Sequence, residues 1–361
     1  MSSLALPRAE VGKAVTTPIF HLGYRPWLDG LRGIAIIAVM ASHFEPHYLG
    51  RGYVGVDLFF MLSGFLITTL LLEERKSTGT INFGRFYIRR ALRLFPALAA
   101  VLASATLLML LWPSVGQNYR SVLYSAFYVM NWVMALGLDN VSSTLYFTWS
   151  LSVEEQFYIV WPALLYLLLR LRVRASVIAL MLLSTALIVC AHRTSLILAG
   201  ATGFRVSLAS DVRTDSLLIG CGIGVMAVSG LLPRSARLVA LFTGVLSLGF
   251  LCYVVGWFGN YGSGLTITAF FFGGLLTLLL ISPCNFLSRG LEASPLVWIG
   301  RLSYSLYLWH LYASFLVVEG GIDRRFQVVA ALALSFIFAG TSYYLIEQPF
   351  LRLKRRFASV S

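Results

Sequence analysis

The chain has 361 residues, 58% hydrophobic and only 12% charged, and its 28 Lys and Arg against 15 Asp and Glu give a net charge of +13. Soluble domains carry about 25% charged residues, so this little charge cannot cover a water-facing surface, and a mean hydropathy of +0.81 points to lipid as the main solvent. A secreted protein, a disulfide scaffold and a nucleic-acid binder are poor readings, the last because the positive residues fall between apolar runs rather than on one soluble face.

Residues 1–26 carry Arg8, Lys13 and Arg25 with no compact apolar stretch before a small-residue cleavage site, and read as a cytoplasmic tail. Apolar runs then recur at roughly 33–48, 53–72, 94–112, 149–169, 175–192, 213–229, 238–256, 264–282, 296–318 and 326–347. Each is near the length a helix needs to cross about 30 Å of hydrocarbon at 1.5 Å per residue. The runs are continuous rather than alternating, which selects helices over a β-barrel. Residues 121–137 (SVLYSAFYVMNWVMALG) are apolar enough for an eleventh span, but their Tyr and Trp favour the interface. A crossing there would also throw the RLRVR cluster at 170–174 and the LKRR cluster at 353–356 outside, against the positive-inside preference. The expectation is an all-α polytopic membrane helical bundle over 27–350, with about ten transmembrane helices. In it 121–137 is a re-entrant or interfacial helix, both termini are cytoplasmic, and 351–361 is a basic cytoplasmic tail. No inverted repeat is visible, which disfavours common transporter architectures. Cys190, Cys221, Cys252 and Cys284 fall one per apolar stretch without a C-x-x-C pair, so they read as small buried residues.

Ionisable residues inside spans are costly, and each is a candidate for function. Arg32 and His43 are 11 residues apart on the first span, about 20° off a common helical face and separated by about 16 Å of rise. On the ten-span topology His43, Asp57, Glu154, Asp215 and His310 all fall in the outer half of the membrane, which points to a polar cavity fed by five helices. A histidine with a carboxylate partner acts as a general base, and Asp57 and Glu154 are the favoured partners. Glu155 lies about 100° around the helix from Glu154, so both are not expected to face the cavity. No ligand spacing supports a metal site. Arg85, Arg89, Arg90 and Arg93 lead into the third span, either as ordinary positive-inside residues or as a cluster whose forked guanidiniums hold phosphate groups. Ser63, next to Gly64, and the glycines of IGCGIG (Gly220, Gly222, Gly224) read as packing residues.

These residues fall in ordered blocks: WLDGLRGIAIIAVMASH, GYVGVDLFFMLSGFLIT, FYIRRALRLFP, WSLSVEEQFYIVWP, RTDSLLIG, GRLSYSLYLWH and LIEQPF. The series resembles acyltransferase family 3 of integral membrane proteins over about residues 25–350. The resemblance implies a multi-pass enzyme of the bacterial inner membrane. Such an enzyme moves an acyl group, usually acetyl, from acyl-CoA to a hydroxyl of a carbohydrate or a glycosylated small molecule. It implies that Arg32 and His43 are needed for activity and that Arg90 and Arg93 form an R-x-x-R motif. Taken together, the expected catalytic residues are His43, Arg32, Asp57 and Glu154, with Arg89, Arg90 and Arg93 on acyl-CoA and Asp215, His310 and Tyr304 lining the substrate cavity. No metal is expected. Many relatives carry a C-terminal SGNH hydrolase-like domain; with Ser361 only 14 residues after Glu347, no fused domain of that kind is expected here. The rival from another class is a proton-coupled transporter of a lipid-linked sugar or organic anion, because intramembrane Arg, His and carboxylates suit that task equally well.

Overall fold

The computed structural model describes residues 20–112, 118–256, 262–283 and 285–357. The tail expected over 1–26 and Cys284 therefore lie largely or wholly outside the described residues, as do residues 358–361 of the basic C-terminal segment. Ten helices carry the fold: α1 (Pro26–Phe44), α2 (Val54–Thr78), α3 (Phe83–Leu111), α4 (Trp149–Arg170), α5 (Ala175–Leu198), α6 (Asp215–Val228), α7 (Ala236–Val254), α8 (Ser263–Ile281), α9 (Ser294–Glu319) and α10 (Arg324–Thr341). Each coincides with one predicted span, and there is no strand among the described residues. Seven helical stretches are long and apolar enough to cross a membrane by length and composition. The other three are α4, which carries Glu154 and Glu155, α9, which carries Arg301 and His310, and α6, which is only 14 residues long. The number of crossings is thus supported at seven, with ten as the sequence expectation.

The segment 121–137 is no single helix. It divides into Arg120–Ala126 and Met130–Ala135, broken at Tyr128, whose φ of 54° interrupts the helical course. At 1.5 Å per residue neither piece spans more than about 11 Å, so the segment does not cross as one helix. After α10 the backbone widens into a π-helical turn, Ser342–Glu347, before a short helix, Gln348–Lys354.

Lipid solvation accounts for the outer surface. Leu238, Leu241, Val245 and Leu248 along α7 are each more than 60% exposed, a face that water would not tolerate. In the interior, without a hydrophobic gain from leaving water, close backbone contact takes over as the packing device. A Cβ on Gly64 would lie 2.1 Å from the Leu217 carbonyl oxygen, and one on Gly220 would lie 2.0 Å from that of Met61. Reciprocal glycines therefore let α2 and α6 touch, which is the packing role expected of both. The same device joins α1 to α9, where a Cβ on Gly300 would lie 1.8 Å from the Asp29 carbonyl oxygen. That contact and the His43–His310 contact occur in the same order along both helices, so α1 and α9 run in parallel. They carry Arg32 and Ser303 near one end and His43 and His310 near the other.

Candidate active site

A cavity opens among α1, α2, α3, α4 and α9, enclosing with its mouth about 840 Å³ of empty space. Its walls are mostly apolar, from Phe59 and Leu66 of α2 and Leu94 of α3, and three arginines face into it: Arg32, Arg90 and Arg93. Asn82 caps α3, its side chain accepting from the Arg85 amide. The i, i+3 spacing then puts Arg90 and Arg93 on one face. Arg90 is held on all sides: it stacks 3.6 Å from the centre of the Tyr158 ring and pairs with Glu154 at 3.7 Å and Glu155 at 3.5 Å. The two carboxylates that helical geometry sets apart thus converge on one guanidinium, and Ser63 donates to Glu154 at 3.0 Å. By contrast, Arg32 and Arg93 have no hydrogen-bond or ion-pair partner among the described residues. Guanidiniums left unpaired in a largely apolar cavity are costly unless an anion completes them. The expected third binder, Arg89, turns elsewhere, to Glu74 at 2.9 Å and the Phe357 carbonyl at 3.0 Å. Tyr304 does line this cavity, its hydroxyl donating to the Leu94 carbonyl at 2.8 Å.

The far end of the cavity is closed by Tyr307 and Ser150, whose hydroxyls lie 2.6 Å apart. Behind Tyr307, with ring centres 5.7 Å apart, stands His310. His310 is fully buried, and its Nε2 lies 3.1 Å from Nδ1 of His43. Its own Nδ1 faces only carbonyl oxygens, those of Tyr307 at 2.7 Å and Leu306 at 3.1 Å. Carbonyls only accept, so Nδ1 of His310 carries a proton, and the neutral ring offers a lone pair at Nε2. That lone pair accepts from the N–H at Nδ1 of His43, which leaves Nε2 of the neutral His43 ring unprotonated. Hydrogen-bond direction fixes this tautomer without any carboxylate. On its other side His43 lines a second cavity, of about 880 Å³ with its mouth, between the ends of α1 and α9 and the start of α10.

The five ionisable residues expected to share one cavity instead fall into four pairings, one of them the His43–His310 pair. Asp57 pairs with Arg213 at 3.1 Å and accepts from Ser216 at 3.2 Å, so it is a partner of Arg213 and not of His43. Asp215 pairs with Arg193 at 3.0 Å and accepts from Thr266 at 2.6 Å, away from both cavities. These pairs stitch α2, α5, α6 and α8 together. Arg193 and Arg213 are 0% and 2% exposed. Glu154 lines the arginine cavity and meets Arg90, while His310 backs His43 and lines neither cavity. Among the described residues no carboxylate lies within hydrogen-bond distance of His43, and no three metal-ligating side chains group together. Sequence reasoning missed Tyr158, Tyr307 and Ser150. Tyr158 sits four residues after Glu154, and that spacing was its available signal.

The family described as an acyltransferase domain matches residues 25–345. The chain is 31% identical over 347 residues to the peptidoglycan O-acetyltransferase OatA of Listeria monocytogenes, covering 90% of this chain and 56% of that protein. It is 32% identical over 353 residues to the putative peptidoglycan O-acetyltransferase YrhL of Bacillus subtilis, covering 91% and 55%. A putative O-acetyltransferase of Staphylococcus aureus, SAS0844, is also 32% identical, over 346 residues, with 91% and 57% covered. The chain spans about half the length of these curated relatives. No solved structure matches it.

Proposed function

The chain belongs to the acyltransferase family, and from that premise we propose that it is a membrane O-acyltransferase. It moves an acyl group, acetyl by analogy with the names of its relatives, from acyl-CoA to a carbohydrate hydroxyl. The peptidoglycan named for two relatives is the leading acceptor class. The observation that carries this reading is the pair of unpartnered guanidiniums, Arg32 and Arg93, beside Arg90 in a cavity whose far end abuts the His43–His310 pair.

In this reading the chain sits in the bacterial inner membrane with its termini inside. The arginine cavity then opens to the cytoplasm, where acyl-CoA is found. Its phosphates complete Arg32 and Arg93 through forked, charge-assisted hydrogen bonds. The pantetheine arm lies along the apolar wall of Phe59 and Leu66 and brings the thioester towards Tyr307. At the other end, Nε2 of His43 takes the proton of an acceptor hydroxyl as that oxygen attacks the thioester carbonyl carbon. The C–O bond forms, the C–S bond breaks, and the departing thiolate recovers the proton from His43, so the ring ends neutral. General-base assistance of this kind contributes about 10²–10⁴ in rate. Glu154 and Glu155 hold Arg90 in place rather than act on substrate.

The test is purified protein in lipid with radiolabelled acetyl-CoA and glycan acceptors. Arg93→Ala is expected to raise the KM for acetyl-CoA at least tenfold. Equal transfer by wild type and His43→Ala would remove His43 from the chemistry, and vesicle accumulation of a substrate without acyl-CoA consumption would favour a transporter.

A further inference from the structure

The cavity on the outer side of His43 differs in chemistry from the arginine cavity. Its floor is apolar, from Phe44, Val317 and Ala331, while Glu45, His47 and Arg324 stand at its rim. None of these three polar side chains has a hydrogen bond or ion pair among the described residues. Arg324 is free because its neighbour Arg325 has taken the helix-capping carboxylate of Asp323, at 2.9 Å. Gln327 donates to the Ile322 carbonyl at 3.0 Å, which commits one N–H and keeps its side-chain oxygen available. The lining thus carries one free carboxylate, one free guanidinium, an uncommitted amide oxygen and an imidazole. Such a rim repels a polyanion through Glu45 and suits a ligand with many hydroxyls, each both donor and acceptor. The apolar floor suits the C–H face of a sugar ring. His43 is the one member of the histidine pair that lines this space.

We infer that this cleft is the acceptor site and that it takes a saccharide, with Glu45, Arg324 and Gln327 binding hydroxyls while one hydroxyl meets His43. The inference rests on the acyl-transfer reading and adds where the acceptor docks and what selects it. The arrangement gives the two substrates separate openings that meet at His43, so acyl-CoA and saccharide do not compete for one opening.

The test uses the full chain in liposomes, radiolabelled acetyl-CoA, and two soluble probes, a chito-oligosaccharide and a muramyl disaccharide. Glu45→Gln and Arg324→Gln are each expected to raise the KM for the saccharide about tenfold or more, leaving the KM for acetyl-CoA within about twofold of wild type. Val318→Trp, at an exposed wall position, narrows the mouth and is expected to lower kcat/KM for the saccharide at least tenfold. Size-exclusion profiles establish that each variant remains folded. If all three variants keep the wild-type saccharide KM while His43→Ala abolishes transfer, the cleft is not the acceptor site although the catalytic reading stands. If His43→Ala matches wild type, or neither probe is labelled by any form, the acyl-transfer reading fails and the acceptor assignment falls with it.

Discussion

Replacing His310 probes the tautomer of His43 without touching substrate. The Nε2···Nδ1 contact is 3.1 Å and fully buried on the His310 side. A neutral intramolecular hydrogen bond of this kind contributes about 1–1.5 kcal/mol, which corresponds to roughly a five- to thirteenfold preference for the tautomer with Nε2 bare. His310→Phe removes the acceptor and fills most of the space, so kcat is expected to fall about tenfold with the KM for acetyl-CoA unchanged. His310→Gln returns a carbonyl oxygen that accepts from Nδ1 of His43, and is expected to stay within about threefold of wild type. His43→Ala is expected to lose about 10²–10⁴, the full general-base contribution. The assay is initial-rate transfer from radiolabelled acetyl-CoA by size-exclusion-pure protein. Wild-type kcat in His310→Phe alongside an inactive His43→Ala would show that the tautomer of His43 is set elsewhere.

Other expectations follow from the clusters away from His43. Arg213→Ala leaves Asp57 buried without its cation and should destabilise the fold by about 3–5 kcal/mol, seen as a lowered melting temperature in detergent; Asp57→Leu with Arg213→Met should recover most of it. Arg89→Ala, whose side chain is engaged with Glu74, should change the KM for acetyl-CoA less than threefold, whereas Arg93→Ala changes it at least tenfold. Gly220→Val drives a side chain into the Met61 carbonyl and should sharply reduce the yield of folded protein, while Gly244→Ala, with open space around it, should not.

Much of the bundle was legible because helical spans are a one-dimensional property. A run of apolar residues of the right length is visible in the sequence, and all ten runs became helices. The shared face of Arg90 and Arg93 was legible for the same reason, since the 3.6-residue period fixes direction along one helix, and both line the arginine cavity. Partners on other helices were not. Membrane depth alone put Asp57 and Asp215 beside His43, yet Arg213 and Arg193 claim those carboxylates. The breaking of 121–137 at Tyr128 depends on a single backbone dihedral, which apolarity does not encode. The converging of Glu154 and Glu155 on Arg90 needed side-chain reach, which a helical wheel omits.

In the proposed mechanism acyl transfer passes through His43, at the meeting point of two cavities. Its most direct measurement is acetyl transfer from radiolabelled acetyl-CoA to a saccharide by purified wild type and His43→Ala in the same lipid. Label on the saccharide from wild type, reduced at least a hundredfold in His43→Ala with acetyl-CoA binding retained, is the expected result. Equal labelling by both proteins would contradict it.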